Sequence, residues 1–392
     1  MQEMVGLRRV GILGGTFDPV HAGHIAMARQ AIRELELSEV LLLPTARPSY
    51  RTPEADYESR MAMCRLAAEG EEGIRVSDLA AASNMQYAAE TAASLHRRMP
   101  DAQLTFLLGA DKLTTLPYWR NAERLFALCD FLCFPRSGID AEAAAAKARG
   151  MGARIRVSSF HCPVFSAAAI RAQTANYEDA EGLPLPVLCY IAERGLYQKD
   201  ELPKLRGMMN PHRFEHTLGV RREAVRLAAR YHLPVQKAAR AGLLHDCAKG
   251  MPLPVMRRIA VENRLVQEEE ILSSGALLHG PVGAYLARTQ FGVQDEAILD
   301  AIRNHTVGRP GMTPLELAIF VADATEEGRE DYEGLSEIRQ LSDISLEAAA
   351  LKSLRCTEEY LTGMGRGVFP LSRVVMRDLE KRIAPEIMAE YF

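Results

Sequence analysis

Two histidines three residues apart, His21 and His24, follow a glycine pair in the stretch Gly11-Ile-Leu-Gly-Gly-Thr-Phe-Asp-Pro-Val-His-Ala-Gly-His24. Residues at i and i+3 share one face of a helix, so both imidazoles can address one ligand. The apolar run Val10–Leu13 ends at Gly14-Gly15 and reads as a strand breaking into a tight turn. A glycine turn that feeds a helix N-terminus is an anion site, because free backbone N–H groups and the helix dipole both favour phosphate. No Gly-Lys-Ser/Thr follows, which excludes a Walker phosphate loop. A second set lies in the other half of the chain: His216, His245-Asp246, His279, His305 and Asp323. Imidazole and carboxylate are ligands for iron, manganese or zinc, and six such groups can hold two metals with a bridging aspartate. A His-Asp dipeptide alone arises often by chance. Weight comes from the contexts Arg213-Phe-Glu-His216, Leu243-Leu-His-Asp246-Cys-Ala-Lys249, Leu278-His279-Gly, Asn304-His305-Thr and Val321-Ala-Asp323.

Two different scaffolds must position these residues. Up to about residue 198, short apolar runs alternate with helical patterns. The expected strands are Val10–Leu13, Val40–Leu43, Ile74–Val76, Leu104–Leu108, Phe131–Phe134 and Ile155–Val157, with helices near 24–36, 57–69, 87–98, 119–127 and 141–149. This alternation predicts an α/β domain, a Rossmann-like parallel sheet with helices on both faces. Ligands in such folds sit beyond the C-terminal strand ends at a switch point, where the opening turn would lie. The charged stretch 199–206, which contains Pro203, suits a linker between domains 1–198 and 207–392. Beyond it the strand signal fades and the second domain reads as all-helical, with its histidines at or near the ends of separate helices.

Three clusters should share the ligand edge of the first domain. Asp111, after Gly109, could accept hydrogen bonds from a ribose. Trp119, the single tryptophan, could stack on an aromatic ring or pack in the core. Ser166 and Arg171 could present a hydroxyl and a guanidinium to phosphates. In the second domain Lys249, one helical turn past Asp246, is either a solvated surface lysine or a positive charge beside the metals.

Bulk properties are ordinary. The chain has 392 residues, 48% of them hydrophobic and 25% charged, and a formal net charge of −4. That balance lacks the positive excess of a general nucleic-acid binder, and no apolar run approaches a membrane span. The first thirteen residues show no signal-peptide pattern, and the seven scattered cysteines, without a C-x-x-C pair, suit reduced thiols of a cytoplasmic protein. Cys129 and Cys133 are expected in a buried strand rather than a metal knuckle. A homo-oligomer is compatible with the sequence.

The opening stretch resembles the G-x-F-D-P-x-H-x-G-H signature of nucleotidylyltransferases with a His-x-Gly-His motif. Gly109-Ala-Asp111, Trp119-Arg120 and Tyr87-Ala-Ala-Glu-Thr91 narrow the resemblance to nicotinate-nucleotide adenylyltransferases, over about residues 8 to 198. The resemblance implies adenylyl transfer from ATP to nicotinate mononucleotide, with Mg²⁺ accompanying ATP. It implies catalytic roles for His21, His24 and Arg171. Gly14, Gly15, Thr16, Phe17, Gly109, Asp111 and Ser166 would bind substrate; Trp119 would stack on the pyridine ring, with Tyr87 and Thr91 near its carboxylate. The chain departs from the family twice. Phe165-Ser-Ala-Ala-Ala-Ile-Arg171 stands for I-S-S-T-x-I-R and lacks two hydroxyls; Arg47-Pro-Ser-Tyr-Arg51 stands for P-P-H-K, so that Arg51 replaces a lysine. The lost hydroxyls, at about 0.5–1.5 kcal/mol each, would weaken ATP binding without abolishing chemistry.

In the second half, the order H…HD…H…H…D resembles the HD superfamily of metal-dependent phosphohydrolases. The flanking sequence, including Ala322-Asp-Ala-Thr-Glu-Glu-Gly-Arg329, resembles its YqeK branch of symmetrical bis(5′-nucleosyl)-tetraphosphatases. The implied ligands are His216, His245, Asp246, His279, His305 and Asp323 on two metal ions, iron by family habit. The implied reaction cleaves diadenosine tetraphosphate into two ADP, and Lys249 would aid it. Two alternatives remain open at this point: another nucleotide for the HD half, or an N-terminal half that binds nucleotide and regulates.

Overall fold

The computed structural model describes residues 8–48, 52–79, 87–199 and 201–392. Arg51 lies outside them. The first half contains six parallel strands: β1 (Arg8–Gly15), β2 (Glu39–Pro44), β3 (Ile74–Val76), β4 (Ala102–Gly109), β5 (Cys129–Phe134) and β6 (Arg154–Val157). Each expected strand is present, lengthened by up to two residues at either end. Their order is β3-β2-β1-β4-β5-β6. The chain builds outward from β1 on one side, then returns to add β4 on the other. The ends of β1 and β4 therefore flank the reversal of strand order, the crevice where parallel α/β sheets take ligands.

Near-continuous apolar strands make this sheet a core element. Val10, Ile12, Leu104, Phe106 and Phe131 are buried together with Leu95, Leu125 and Phe126 from covering helices. Cys129 and Cys133 are buried in β5, as expected, and none of the seven cysteines is in a disulfide. Truncating a side chain such as Phe131 in this layer would cost about 3–5 kcal/mol.

The second half is helical. Pro211–Arg230 starts with Asn210 capping the N–H of Arg213 at 2.9 Å and Pro211 in the first turn, where its missing N–H costs nothing. It packs against Val235–Leu244 and Pro314–Thr325, and Gly275–Phe291 packs against Glu296–Asn304. Thr313 and Glu316 form a capping box on Pro314–Thr325. None of the described helices is long and apolar enough to cross a membrane.

The chain divides into two compact units differently from the expected 198/207 boundary. One runs to Thr174 and takes in Ala180–Tyr190; the other takes in Ala175–Asp179 and Ile191–Phe392. The expected linker contains a helix, Leu202–Met208, with Leu205 buried and Pro203 in its first turn. Proline there starts a helix as readily as it marks a break. The early segments of the second unit are tied in by charge. Asp179 accepts from the N–H groups of Val235 and Gln236 at 2.8 Å each. Arg240 pairs with buried Glu201 at 2.7 Å and lies 4.0 Å over the Tyr177 ring. Arg221, also buried, donates to the Ala192 carbonyl at 2.7 Å and to Gln198 at 2.8 Å.

Candidate functional site

In the first unit, His21 caps the helix Ala22–Leu35 that follows the glycine turn. The rings of His21 and His24 stack, with centroids 3.7 Å apart, and Phe17 meets His24 edge-on at 4.9 Å. The His21 backbone N–H donates to His24 Nδ1 at 3.2 Å, so the ring proton of His24 sits on Nε2, a donor aimed away from the backbone. Burial and the nearby Arg136 guanidinium push His21 down to about 4. Burial, His21 and Arg136 likewise hold His24 well below the ordinary range. At neutral pH both rings are therefore uncharged, and an anion could meet them only as N–H donors.

The loop after β1 is held from beneath. Arg60, 1% exposed, donates to the carbonyls of Thr16 at 2.7 Å and Thr45 at 2.8 Å. Asp18, also buried, accepts from the N–H groups of Glu54 at 3.0 Å and Ala55 at 3.1 Å. Arg171 donates to the Asp18 carbonyl at 2.7 Å and to Glu54 Oε1 at 2.5 Å. The loop carrying Gly14, Gly15, Thr16 and Phe17 is thus joined to Arg171 through Asp18. Ser166 is exposed and accepts from Ala169 N–H at 3.4 Å, so its hydroxyl caps the helix Ala167–Ala175.

Gly109 ends β4, and Asp111 lies half-exposed 3.8 Å from Arg136. Arg136, through its field on His21 and His24, belongs to this side of the site. Trp119 is partly buried against the core, and its indole N–H donates to Thr115 Oγ1 at 3.2 Å. Its neighbour Arg120 lies 4.7 Å over the Tyr87 ring, and Thr91 Oγ1 donates to the Tyr87 carbonyl at 3.3 Å. Tyr87, Thr91 and the Trp119 loop therefore form one cluster. Sequence reasoning missed Arg60, Arg136 and Glu54. No motif spacing marks them; Asp18 at least stood inside a quoted motif.

In the second unit the six candidate ligands converge. Three overlapping groups, His216–His245–Asp246, His245–His305–Asp323 and Asp246–His279–His305, each bring their ligand atoms within 4.8 Å. His245, His279 and His305 each turn Nδ1 to a backbone carbonyl: Gly242 at 2.7 Å, Gly275 at 3.1 Å and Ile302 at 2.7 Å. A carbonyl only accepts, so Nδ1 carries the proton and each Nε2 presents a bare lone pair. The Nε2 atoms of His279 and His305 nevertheless face each other at 3.1 Å. The carboxylate oxygens of Asp246 and the Nε2 atoms of His216 and His245 are buried and face mainly other candidate ligand atoms: His279 Nε2 lies 3.2 Å from Asp246 Oδ1 and His216 Nε2 lies 3.0 Å from Asp323 Oδ1. Converging lone pairs and carboxylates repel unless a cation sits among them, so this donor set fits divalent metal. Asp246, His245 and His305 each belong to two of the groups.

Local sequence makes this approach feasible. A β-carbon at Gly280 would stand 2.6 Å from the Arg303 carbonyl oxygen, so only glycine lets the two helices carrying His279 and His305 come this close. Charges reinforce the centre. Lys249 Nζ lies 3.0 Å from Asp246 Oδ2, and Arg329 donates to Asp323 Oδ1 at 2.6 Å. Burial opposes ionisation of Asp246, but His245, His279, His305 and Lys249 outweigh it and hold the carboxyl far below the usual range. Asp323 is likewise held low against burial by His216, His245 and Arg329. His279 is lowered by burial. His216 is raised, because Asp323 and Glu326 together outweigh its burial. Glu326, 3.0 Å from His216 Nδ1, lay in a quoted string without a role.

The chain matches the Cytidylyltransferase-like family over residues 12–173 and the HD domain family over residues 213–328. A Mycoplasma genitalium protein described as a "probable nicotinate-nucleotide adenylyltransferase/Ap4A hydrolase" is 30% identical over 337 residues, 85% of this chain and 92% of its own. A Bacillus subtilis protein described as a symmetrical bis(5′-nucleosyl)-tetraphosphatase is 39% identical over 173 residues, 44% of this chain and 92% of its own. A Gloeobacter violaceus protein described as a "probable nicotinate-nucleotide adenylyltransferase" is 37% identical over 197 residues, 48% of this chain and 96% of its own. With a parallel sheet carrying the double-histidine turn and a helical unit carrying the six-residue centre, the chain belongs to the family of fused nicotinate-nucleotide adenylyltransferase/Ap4A hydrolases.

Proposed function

We propose that the first half transfers the adenylyl group of ATP to nicotinate mononucleotide, and that the second hydrolyses diadenosine tetraphosphate symmetrically to two ADP. The neutral, stacked His21–His24 pair beside the strand-order reversal carries the first reading. The opposed lone pairs of His279 and His305 carry the second.

In the transfer, a phosphate oxygen of nicotinate mononucleotide attacks the α-phosphorus of ATP. The bond to the β-phosphate breaks and pyrophosphate leaves with Mg²⁺. The nucleophile is already an oxyanion, so positioning and charge stabilisation suffice. His24 Nε2–H and His21 donate to phosphate oxygens without adding a competing positive charge. Arg171 turns from Glu54 to the triphosphate, and Arg136 neutralises it from the β4 side. Asp111 accepts from ribose hydroxyls, while Trp119, Tyr87 and Thr91 hold the pyridine end.

In the hydrolysis, two bound divalent metals, iron in our reading, would activate water and polarise the central phosphates. His216, His245, Asp246, His279, His305 and Asp323 hold them. Lys249 and Arg329, restrained by Asp246 and Asp323, extend positive charge towards the polyphosphate. The reducing cytoplasm suits both the free thiols and iron.

A single substrate panel tests both readings. Purified protein with ATP, Mg²⁺ and nicotinate mononucleotide should release pyrophosphate, and with diadenosine tetraphosphate should yield ADP alone. AMP plus ATP from the second substrate would mean asymmetric cleavage. No pyrophosphate from the first would leave the N-terminal half as a binding module.

A further inference from the structure

Of the four imidazoles in the metal centre, His216 is held differently. The other three are fixed by backbone carbonyls on their own helices. His216 lies within the first turns of Pro211–Arg230, and its Nδ1 meets the Oε1 of Glu326 at 3.0 Å. Glu326 is 2% exposed and stands just past the end of Pro314–Thr325, three residues after the ligand Asp323. Its other oxygen accepts from the Gly328 N–H at 2.6 Å, and its own carbonyl accepts from Arg339 at 2.9 Å. The space it occupies exists because residue 219 has no side chain. A β-carbon on Gly219 would stand 2.2 Å from Glu326 Oε2.

We propose that Glu326 is a positioning residue that tunes the metal affinity of the His216 side of the centre; this rests on the metal reading above. The carboxylate takes the Nδ1 proton as its hydrogen-bond partner, so Nε2 is the ligand atom and points at Asp323. A full negative charge behind the ring makes that nitrogen more basic than one backed by a carbonyl. Asp323 and Glu326 leave one helix end together, so a ligand and its partner's orienter are set by one piece of backbone. The His216–Asp323 side therefore binds its cation more tightly than neutral support would allow. On the Asp246–His279–His305 side both imidazoles are backed only by backbone carbonyls.

Manganese titration of the metal-stripped full chain tests this, using Glu326→Gln, which keeps size and loses charge. We expect the tighter binding event to weaken about 10- to 100-fold, with the remaining event unchanged. The thermal midpoint of the metal-free variant should match that of the wild type, which a merely structural role would not allow. Gly219→Ala, which displaces the carboxylate sterically, should reproduce the loss if Glu326→Gln misfolds. Wild-type affinity in a folded Glu326→Gln chain would overturn the proposal, as would equal weakening of both events. Wild-type protein that binds no manganese at all would instead overturn the metal reading, and this proposal with it.

Discussion

The turn after β1 and the His/Asp centre of the helical unit both have to receive phosphate oxygens, yet they prepare for them in opposite ways. The first neutralises itself in advance: His21 and His24 are held uncharged, and Arg171 is parked on Glu54. The second accumulates unsatisfied negative charge and bare lone pairs, which Lys249 and Arg329 only partly answer. In the proposed reactions, the first would meet an anion that carries its own cation, and the second would keep cations of its own. The contrast teaches where each is fragile: the first through loop position and desolvation, the second through loss of any one ligand.

The largest effect should come from breaking the second site. His245→Ala should reduce diadenosine tetraphosphate hydrolysis to background while leaving pyrophosphate release within about twofold of wild type, since a site built on resident cations fails when one ligand goes. Parallel loss of both activities would mean that the two sites are not separable. Next, His24→Ala should lower adenylyl transfer by about 10²–10³-fold, the scale of one lost donor to a transition-state oxygen, and spare hydrolysis. Normal turnover by that variant would remove His24 from the chemistry.

A smaller effect, in stability, distinguishes neutral from charged histidines. Unfolded histidine takes up a proton near 6.5, whereas His21 in the fold does so near 4. Between those values the unfolded chain binds more protons, so stability is full above about pH 6.5 and falls as the pH drops towards 4. His21 alone contributes roughly 3 kcal/mol to that loss. Trp119, the only tryptophan, reports on this half during denaturant unfolding. The stability difference between wild type and His21→Gln should therefore change across this window; a pH-independent difference would contradict a buried neutral ring. The smallest effect belongs to Glu54→Gln. Freeing Arg171 from a partly exposed pair worth about 0.2–1 kcal/mol should lower the KM for ATP by up to about fivefold. A raised KM would make Glu54 an organiser of the loop instead.

These two sites were also legible to different degrees. All six strands could be read from apolar runs; β1, β2, β4 and β5, buried over most of their length, leave a near-continuous signal, while the edge strands β3 and β6 are partly exposed and leave a shorter one. The phosphate turn is contiguous, so its histidines stand in one short string. The metal ligands span more than a hundred residues, and only their order and flanking residues tied them together. What escaped reading are residues whose role depends on contact alone. Arg60 and Arg136 look like ordinary arginines in sequence, and their effect comes from carbonyls and rings brought to them by distant turns. Glu326 is invisible for the same reason, since its partner His216 lies 110 residues away. Within the expected linker a helix begins at Leu202, since charge and proline serve a helix start as well as a hinge.

The ties of Tyr177, Asp179, Ala192, Gln198 and Glu201 to the helical unit bear on how the chain can be cut. A fragment beginning at residue 207 would carry every candidate metal ligand, yet it would strand the buried guanidinium of Arg221 without its acceptors and cost Arg240 its pair with Glu201, leaving it the Phe291 carbonyl. It would also leave the Val235–Leu244 helix, which delivers His245, uncapped at its start. Anyone wishing to express the hydrolase alone should therefore begin upstream of Tyr177, or repair those three places by substitution.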